Sequence, residues 1–478
     1  EGRVTEDVID PATGGVLARL PHASPADLDA AVDAAARAFA GWRATSAYDR
    51  AAVLHKAATL IRERADAIAR TLTMEQGKVF PESKGEVQVS ADIFEWNAEE
   101  ARSSYGRVIP GRVAGVHQTV IIEPVGATAL FTPWNFPALT PARKLAAALA
   151  AGCTAVLKAA EETPGTAVAL VRALHDAGVP AGVVNLVFGV PAQVSAQLIA
   201  RPEIRKISFT GSTPVGKHLL RLAADGVKRT TMELGGNAPV VVCADADLDL
   251  AVKSCVAAKF RNAGQVCISP SRFFVHESLF EPFVHSFAAQ AAALKIGHGL
   301  EDGVQMGPLA HARRIEEMER LLDDAQAHGG KIVTGGRRIQ NAGYFFQPTV
   351  VTGADDKARL WTHEIFGPIA PIAPFGELDE VLGRSNGVEA GLAAYAFTRD
   401  VHTSRRLMEG LEAGMVGLNN LAVSTPETPF GGVKASGLGR EGGYRSIDFY
   451  TTQQSVQISL EESHSPRFGV GGSAPAKH

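Results

Sequence analysis

Residues 126–157 read GATALFTPWNFPALTPARKLAAALAAGCTAVL and predict a strand at 126–130, a helix at 141–151 and a second strand at 154–157. The alternation continues to Glu233, with strands expected at 183–187, 206–209 and 229–233 and helices at 165–177, 193–200 and 214–224. Strands and helices in this order favour a parallel, doubly wound α/β sheet. Such sheets bind nucleotides at the carboxyl ends of their strands, so we expect a nucleotide-binding domain here.

A second alternating region extends from Pro239 to about Gly432 and predicts a second α/β domain. Its strands are expected at 240–243, 272–275, 370–375, 394–397 and 415–418, with a helix at 313–328. A functional site would then lie in the cleft between the two domains. Upstream, Ser24-Pro25 predicts a helix start, and further helices are expected at 50–72 and 84–101.

Two segments look like strands outside these domains. Residues 107–123 predict a hairpin, and residues 452–460 predict an exposed strand that could pair with the hairpin of another chain. Residues 461–478 are rich in Ser, Pro and Gly and predict a disordered tail.

Composition narrows the function classes. The 478 residues are 46% hydrophobic and 21% charged, which is typical of a folded, water-soluble protein. A formal net charge of −4 disfavours nucleic acids and anionic membranes as partners, which leaves small molecules and further copies of the chain. The four cysteines lack metal-ligand spacing, so we expect no metal and a reducing, cytoplasmic setting.

Cys267 is the candidate nucleophile. It follows a Gly-Gln-Val sequence, whereas Cys153, Cys243 and Cys255 lie in apolar patterns and are interpreted as core residues. Glu233 ends a predicted strand ahead of two glycines and is the candidate base. A thiol that attacks a carbonyl, with a base that activates water, is sufficient for oxidising or hydrolysing acyl transfer. Taken singly, either residue could equally be an ordinary buried cysteine or a surface glutamate.

Two strand ends suggest a dinucleotide site. Residues 209–216 follow a strand and open a helix, which would aim backbone N–H groups at a pyrophosphate, although a plain strand-to-helix turn remains an equal alternative. Lys158 and Glu161 follow another strand and could bind ribose hydroxyls. If Glu161 faces the adenosine ribose, it would repel a 2′-phosphate by roughly 1–4 kcal/mol, which favours NAD over NADP.

Six motifs together resemble the aldehyde dehydrogenases over essentially the whole chain. They are FTPWNFP at 131–137, FTGS at 209–212, MELGG at 232–236, GQVC at 264–267, EIFGP at 364–368 and PFGG at 429–432. The resemblance implies an α/β fold with a doubly wound NAD-binding domain (1–106 and 123–236), a catalytic domain (237–435) and a β oligomerisation arm (107–122 and 451–460). It also implies a homodimer or a homotetramer.

The resemblance further implies a mechanism. Cys267 would attack an aldehyde, and the Asn135 amide with the Cys267 backbone N–H would hold the oxyanion of the thiohemiacetal. After hydride transfer to NAD, Glu233 would activate the water that hydrolyses the thioester. The cofactor contacts implied in the same way are Thr132, Pro133, Trp134, Lys158, Glu161, Gly211, Ser212, Leu234, Glu364 and Phe366.

Substrate choice is expected to depend on two arginines. Arg143 and Arg261 match arginines that bind the substrate carboxylate in succinate-semialdehyde dehydrogenases, and Ser424 or Thr425 could complete the clamp. One or both arginines could instead form structural salt bridges.

Other substrates and functions stay open at this point. They are glutarate, 2-oxoglutarate and aromatic semialdehydes and general aliphatic aldehydes. A coenzyme-A-acylating enzyme and a catalytically silent protein are less favoured, because Cys267, Glu233 and Asn135 are all present. Ser269 stands where some members carry a second cysteine, so no local disulfide switch is expected.

Overall fold

The computed structural model describes residues 3–339 and 342–459. The helices are α1 (Pro25–Ala44), α2 (Ala47–Glu63), α3 (Ala65–Gln76), α4 (Phe80–Ala101), α5 (Leu139–Ala151), α6 (Pro164–Ala177), α7 (Pro191–Ala200), α8 (Thr213–Asp225), α9 (Leu248–Phe260), α10 (Glu277–Ala292), α11 (Ala312–Ala327), α12 (Arg359–Thr362), α13 (Leu378–Asn386) and α14 (Val401–Gly410). Short 3-10 turns occupy Arg261–Gly264 and Ser446–Tyr450. The predicted tail at 461–478, and the last residue of the predicted arm, lie outside the described residues.

The strands are β1 (Thr5–Ile9), β2 (Val16–Pro21), β3 (Arg107–Ile109), β4 (Val116–Pro124), β5 (Ala127–Phe131), β6 (Thr154–Lys158), β7 (Val184–Val187), β8 (Ile204–Thr210), β9 (Arg229–Glu233), β10 (Ala238–Val242), β11 (Pro270–His276), β12 (Lys331–Thr334), β13 (Thr349–Thr352), β14 (Ile369–Phe375), β15 (Ala390–Gly391), β16 (Ala393–Phe397), β17 (Met415–Leu418), β18 (Val433–Lys434), β19 (Gly437–Leu438) and β20 (Thr451–Ser459).

The first large sheet confirms the expected α/β fold. Its order is β19-β9-β8-β5-β6-β7, and every pair from β9 to β7 is parallel. Two neighbouring inner strands, β5 and β6, are buried along their whole length, since helices cover both faces of such a sheet. The carboxyl ends of β5, β8 and β9 therefore lie on one edge, where Glu233 is the last residue of β9.

The second large sheet has the order β12-β13-β14-β11-β10-β16-β17 and contains all five strands predicted for this region. Two further strands, β12 and β13, were not anticipated; β12 runs antiparallel to β13 at the edge. The two large sheets are linked when the chain returns from the second to the first. There β19 pairs with β9, with Gly437 opposite Glu233, and the N–H of Leu234 donates to the carbonyl of Ser436 at 2.9 Å.

Two helix predictions were wrong in their bounds. The helix expected at 50–72 is two helices, α2 and α3, which are separated at Arg64 (φ −98°, ψ 8°) because the backbone leaves helical geometry there. The helix expected at 84–101 begins earlier, at Phe80, since Pro81 suits a first turn.

The strand at 452–460 was predicted to pair with another chain, and the structure corrects this. β20 pairs antiparallel with β4 of its own chain, from Thr451 opposite Pro124 to Ser459 opposite Val116. β3 pairs with the other side of β4 as the predicted hairpin, which gives the sheet order β20-β4-β3. The strand was misassigned because an alternating pattern marks an exposed strand but not its partner. Among the described helices, none combines the length and apolarity needed to cross a bilayer.

Candidate active site

One cavity of about 350 Å³ brings together most of the residues that the sequence singled out. It lies at the carboxyl edge of the first sheet, and the loop that carries Cys267 forms part of its wall. The predicted residues that line it are Pro133, Trp134, Asn135, Gly211, Ser212, Glu233, Leu234, Cys267, Glu364 and Phe366.

The backbone before Cys267 is a strained left-handed turn. Asn262, Ala263 and Gly264 have φ of 49°, 50° and 74°, a region that residues with a Cβ seldom occupy. A Cβ at Gly264 would lie 2.2 Å from the carbonyl oxygen of Gly367, so glycine is needed there for close approach as well. The Gln265 side chain accepts from the N–H of Ala310 at 3.0 Å. The turn is thus fixed from several sides, and it fixes the position of Cys267.

The Cys267 thiol is not activated by the protein alone. Burial raises its pKa to about 12, and the charge of Glu364 acts in the same direction, while Arg143 opposes it. Nearby positive charge would be needed to form the thiolate, and the described residues supply too little of it. The thiol is therefore protonated at neutral pH until a ligand or a proton acceptor changes its surroundings.

Asn135 lines the same cavity as Cys267. Its side chain is buried, and its Nδ2 donates one hydrogen bond, to the carbonyl of Gln265 at 3.1 Å, which leaves a second N–H available. The backbone carbonyl of Asn135 accepts hydrogen bonds from Lys78 Nζ at 2.8 Å and from Asn262 Nδ2 at 3.1 Å. Within the described residues, the backbone N–H of Cys267 has no acceptor. Two unused donors are thus available beside the thiol.

Glu233 is a buried carboxyl with no partner in the described part of the chain. It is 2% exposed, and neither of its oxygens accepts a hydrogen bond. Burial raises its pKa well above the ordinary value, Glu441 adds to the effect, and Lys144 and Arg143 oppose it. A buried carboxyl without a hydrogen-bond partner destabilises the fold, so its presence in a cavity needs an explanation. Its raised pKa is typical of a group that accepts a proton during a reaction.

The rest of this cavity fits a nicotinamide dinucleotide. Ser212 is the N-cap residue of α8 and makes no side-chain capping bond, so N–H groups at this helix end are left to favour a phosphate. Thr210 Oγ1 is buried there without a partner in the described chain. The rings of Trp134 and Phe366 meet edge to face at 5.6 Å and give this part of the cavity an apolar lining. Glu364 accepts from the N–H of Gly236 at 3.2 Å, and burial raises its pKa to about 7.

Three predicted cofactor residues lie outside this cavity. Lys158 and Glu161 are buried and pair with each other at 2.6 Å, and Glu161 also accepts from the N–H of Gly189 at 3.1 Å. Both oxygens of Glu161 are therefore engaged within the chain. The N–H of Thr132 donates to the carbonyl of Lys158 at 3.2 Å, and its hydroxyl is buried without a partner among the described residues.

A second cavity of about 520 Å³ adjoins the first across Phe136, which lines both. Arg261 is exposed and lines it, with its guanidinium 5.6 Å from the centre of the Phe136 ring. Arg143 is buried, lies 4.0 Å over the Phe430 ring and donates to Ser424 Oγ at 2.7 Å.

The two arginines are uncompensated, and only one of the two hydroxyl candidates joins them. Neither Arg143 nor Arg261 forms an ion pair with a carboxylate within the described ranges, so the structural salt bridges considered as an alternative are not found there. Ser424 lines the second cavity, whereas the Thr425 hydroxyl pairs with Thr428 at 3.1 Å.

No sequence motif marks His311, Arg313 or Arg314, which also line the first cavity. His311 meets the Trp134 ring at 5.3 Å, and burial lowers its pKa to about 4, which keeps it neutral. Arg313 and Arg314 follow it, and Arg314 donates to the carbonyls of Ile365 and Phe366 at 2.6 and 3.0 Å. In the sequence these residues form the run His311-Ala312-Arg313-Arg314 at a helix start. That run alone does not predict a site, because only the fold places it at the cavity.

Comparison with known proteins gives the chain its family. A sequence model described as "Aldehyde dehydrogenase family" matches residues 1–456. The glutarate-semialdehyde dehydrogenase of Pseudomonas putida is 43% identical over 456 residues, which is 95% of each chain. The NADP(+) succinate-semialdehyde dehydrogenase of Escherichia coli is 44% identical over 95% of this chain and 94% of its own. The crystal structure of succinate-semialdehyde dehydrogenase from Burkholderia pseudomallei superposes with a TM-score of 0.94 at 43% identity, covering 96% of this chain and 95% of that one. The chain therefore belongs to the aldehyde dehydrogenase family.

Proposed function

We propose that this aldehyde dehydrogenase oxidises a semialdehyde with a terminal carboxylate, such as succinate semialdehyde, to the corresponding acid. The observation that carries the proposal is the pair of arginines, Arg143 and Arg261, beside the cavities that meet at Phe136. Neither forms an ion pair with a carboxylate in the described chain. Arg143 is buried, so its unpaired guanidinium is costly, whereas Arg261 is exposed and lines the second cavity. A substrate carboxylate would supply the missing charge through paired hydrogen bonds.

The proposed reaction begins when the Cys267 thiol gives up its proton to solvent water and its Sγ attacks the aldehyde carbon. The oxyanion accepts hydrogen bonds from Asn135 Nδ2 and from the Cys267 N–H, the two free donors beside the thiol. When bound, the nicotinamide ring supplies the hydride acceptor. Glu233 then takes a proton from the water that attacks the thioester, and the acid leaves as the thiol is restored. Burial of Glu233 suits this role because it makes the carboxylate a stronger base.

The carboxylate clamp predicts a selective loss on mutation. Arg261→Ala should lower kcat/KM for succinate semialdehyde by about 10- to 100-fold, because a charge-assisted hydrogen bond is worth about 1.5–3 kcal/mol. The same variant should change kcat/KM for butanal, which has no carboxylate, by no more than about threefold. Arg261→Lys keeps the positive charge but cannot form the paired hydrogen bonds. Its kcat/KM for succinate semialdehyde should therefore lie between those of the wild type and Arg261→Ala.

Steady-state kinetics with both aldehydes test the clamp, and glutarate and aromatic semialdehydes in the same panel show which carboxylate-bearing substrate is preferred. Equal losses for succinate semialdehyde and butanal in Arg261→Ala would remove the basis for the clamp.

We infer that NAD is preferred over NADP. The support is the buried carboxylate of Glu161 beside Lys158, at the strand end where such sheets hold the adenosine ribose. Lys158 offsets part of the repulsion that Glu161 would exert on a 2′-phosphate, so we expect a preference in kcat/KM of about 10-fold rather than an absolute one. Glu161→Gln should shift the ratio towards NADP, and a wild-type ratio that favours NADP would contradict the inference.

The last part of the proposal concerns the oligomeric state of the protein. We propose a homodimer or homotetramer built through the arm of β3, β4 and β20, which forms a three-stranded sheet separate from the two large sheets. The domain bounds at 1–106 with 123–236 and at 237–435 stay predictions, as does the cytoplasmic location.

A further inference from the structure

Lys78 is a buried lysine that contacts the turn carrying Asn135. It lies between α3 and α4 and is 2% exposed. Its ammonium group forms an ion pair with Glu86, donates to the carbonyl of Asn135 at 2.8 Å and lies 4.0 Å over the Phe136 ring. All three contacts are with groups that are themselves buried or line a cavity at the site. Lys78 thus holds the residue that separates the two cavities as well as the candidate oxyanion donor.

Glu86 extends the same contact to the other end of the turn. Its Oε1 accepts from the N–H groups of Ala138 and Leu139 at 2.8 and 3.1 Å, at the start of α5. α5 has no side-chain cap from its own first turn, so Glu86 provides it from α4. The Lys78–Glu86 pair therefore fixes both ends of residues 135–139.

The Asn135 carbonyl also joins this turn to the loop of the nucleophile. Asn262, in the left-handed turn before Cys267, donates its Nδ2 to that carbonyl at 3.1 Å. Lys78 and Asn262 thus converge on one oxygen from two different parts of the chain. Burial lowers the pKa of Lys78, and the charge of Glu86 opposes that effect. An ion pair this deeply buried adds little net stability compared with apolar packing, so positional control is the better reason for its presence.

We propose that Lys78 is a positioning residue for the reaction, which acts by fixing Asn135 so that its amide points at the oxyanion. This inference rests on the proposed role of Asn135 in the reaction. Lys78 lines the second cavity and not the one that contains Cys267. A displacement of about 1 Å in a catalytic group can lower a rate about 100-fold, so loss of the Lys78 contact should be visible in the kinetics.

The test is a double-mutant cycle on acylation of Cys267 by p-nitrophenyl acetate, which needs no cofactor. Lys78→Met is combined with Glu86→Gln, so that no unpaired charge is buried and the glutamine oxygen still accepts from Ala138 and Leu139. We expect this pair of substitutions to slow acylation by about 10- to 100-fold in the wild-type background and by no more than about twofold in Asn135→Ala. Lys206→Met removes an equally buried lysine, which contacts Thr231 and Tyr450 away from both cavities, and should leave acylation unchanged.

Each outcome of this cycle decides between the two proposals. Equal losses in the wild-type and Asn135→Ala backgrounds, or no loss in either, overturn the positioning role but leave the oxyanion role of Asn135 intact. An Asn135→Ala variant that acylates at the wild-type rate removes the oxyanion role itself. Circular dichroism and thermal unfolding check folding, and a variant that melts early is assayed at low temperature. If it stays unfolded there, Lys78 serves folding rather than positioning, and the inference fails.

Discussion

Replacing Cys267 with alanine is expected to abolish aldehyde oxidation, with a loss in kcat of at least about 10⁴-fold. The reason is that the proposed route begins with a bond from sulfur to the aldehyde carbon, and no other described residue in the cavity is a thiol. Nucleotide binding should survive, because the groups expected to hold the cofactor lie at or after the ends of β5, β6, β8 and β9 and on the Glu364 loop, and Cys267 is not one of them. Steady-state oxidation of succinate semialdehyde and fluorescence titration with NAD measure the two properties separately.

Cys255→Ala is the matched control for that variant. Cys255 is fully buried in the core on α9, and burial alone raises the pKa of its thiol. The substitution should lower the free energy of unfolding by about 1 kcal/mol while leaving kcat unchanged. Residual oxidation in Cys267→Ala within about 10-fold of wild type would exclude a covalent route through this thiol.

Glu233→Gln should separate the two halves of the reaction. Hydride transfer should still occur once per site as a rapid burst of NADH, because Glu233 is not needed for attack on the carbonyl. Hydrolysis of the thioester should then slow by about 10²- to 10⁴-fold, since glutamine cannot take a proton from water. Stopped-flow absorbance resolves the burst from the slow steady state. An enzyme with neither burst nor turnover would instead assign Glu233 to the first half.

The pH dependence gives a second test of Glu233. Its pKa is raised by burial, so the carboxyl keeps its proton at a pH where an exposed glutamate has lost it. Only the deprotonated form is a base, and the rate of thioester hydrolysis in the wild type should therefore rise with pH through that raised pKa. In Glu233→Gln the same rise should disappear, and a rise that persists would have to come from another group.

The sequence predicted the first sheet well because its physical signals are local. The strands from β5 to β7 are short, mostly apolar runs bounded by turn residues, while β8 and β9 carry more polar residues. The helices between them repeat with the helical period. Helix bounds were less certain: nothing in the run at 50–72 marks the break at Arg64, because the residue is compatible with a helix and only packing ends α2 there. The partner of β20 was missed for the related reason that pairing is a tertiary choice.

In the candidate site too, residues in local motifs could be predicted from the sequence, and residues that depend on tertiary contacts could not. Cys267, Glu233 and Asn135 lie in stretches that the motifs mark, and they line one cavity as expected. Lys78 and Arg314 carry no motif, since their meaning depends on contacts with residues far along the chain, such as Lys78 with Asn135 and Arg314 with Phe366. The buried pairing of Lys158 with Glu161 was also hidden, because spacing alone cannot tell a ligand contact from an internal ion pair.

The most direct test of the central claim is mass spectrometry of Glu233→Gln after brief mixing with NAD and succinate semialdehyde. Slow hydrolysis should let the acyl-enzyme accumulate, and peptide mapping should find a succinyl thioester on Cys267. Omission of NAD should prevent it, because the thiohemiacetal then cannot be oxidised. An acyl group on a different residue, or no acyl-enzyme while NADH is formed, would contradict the account.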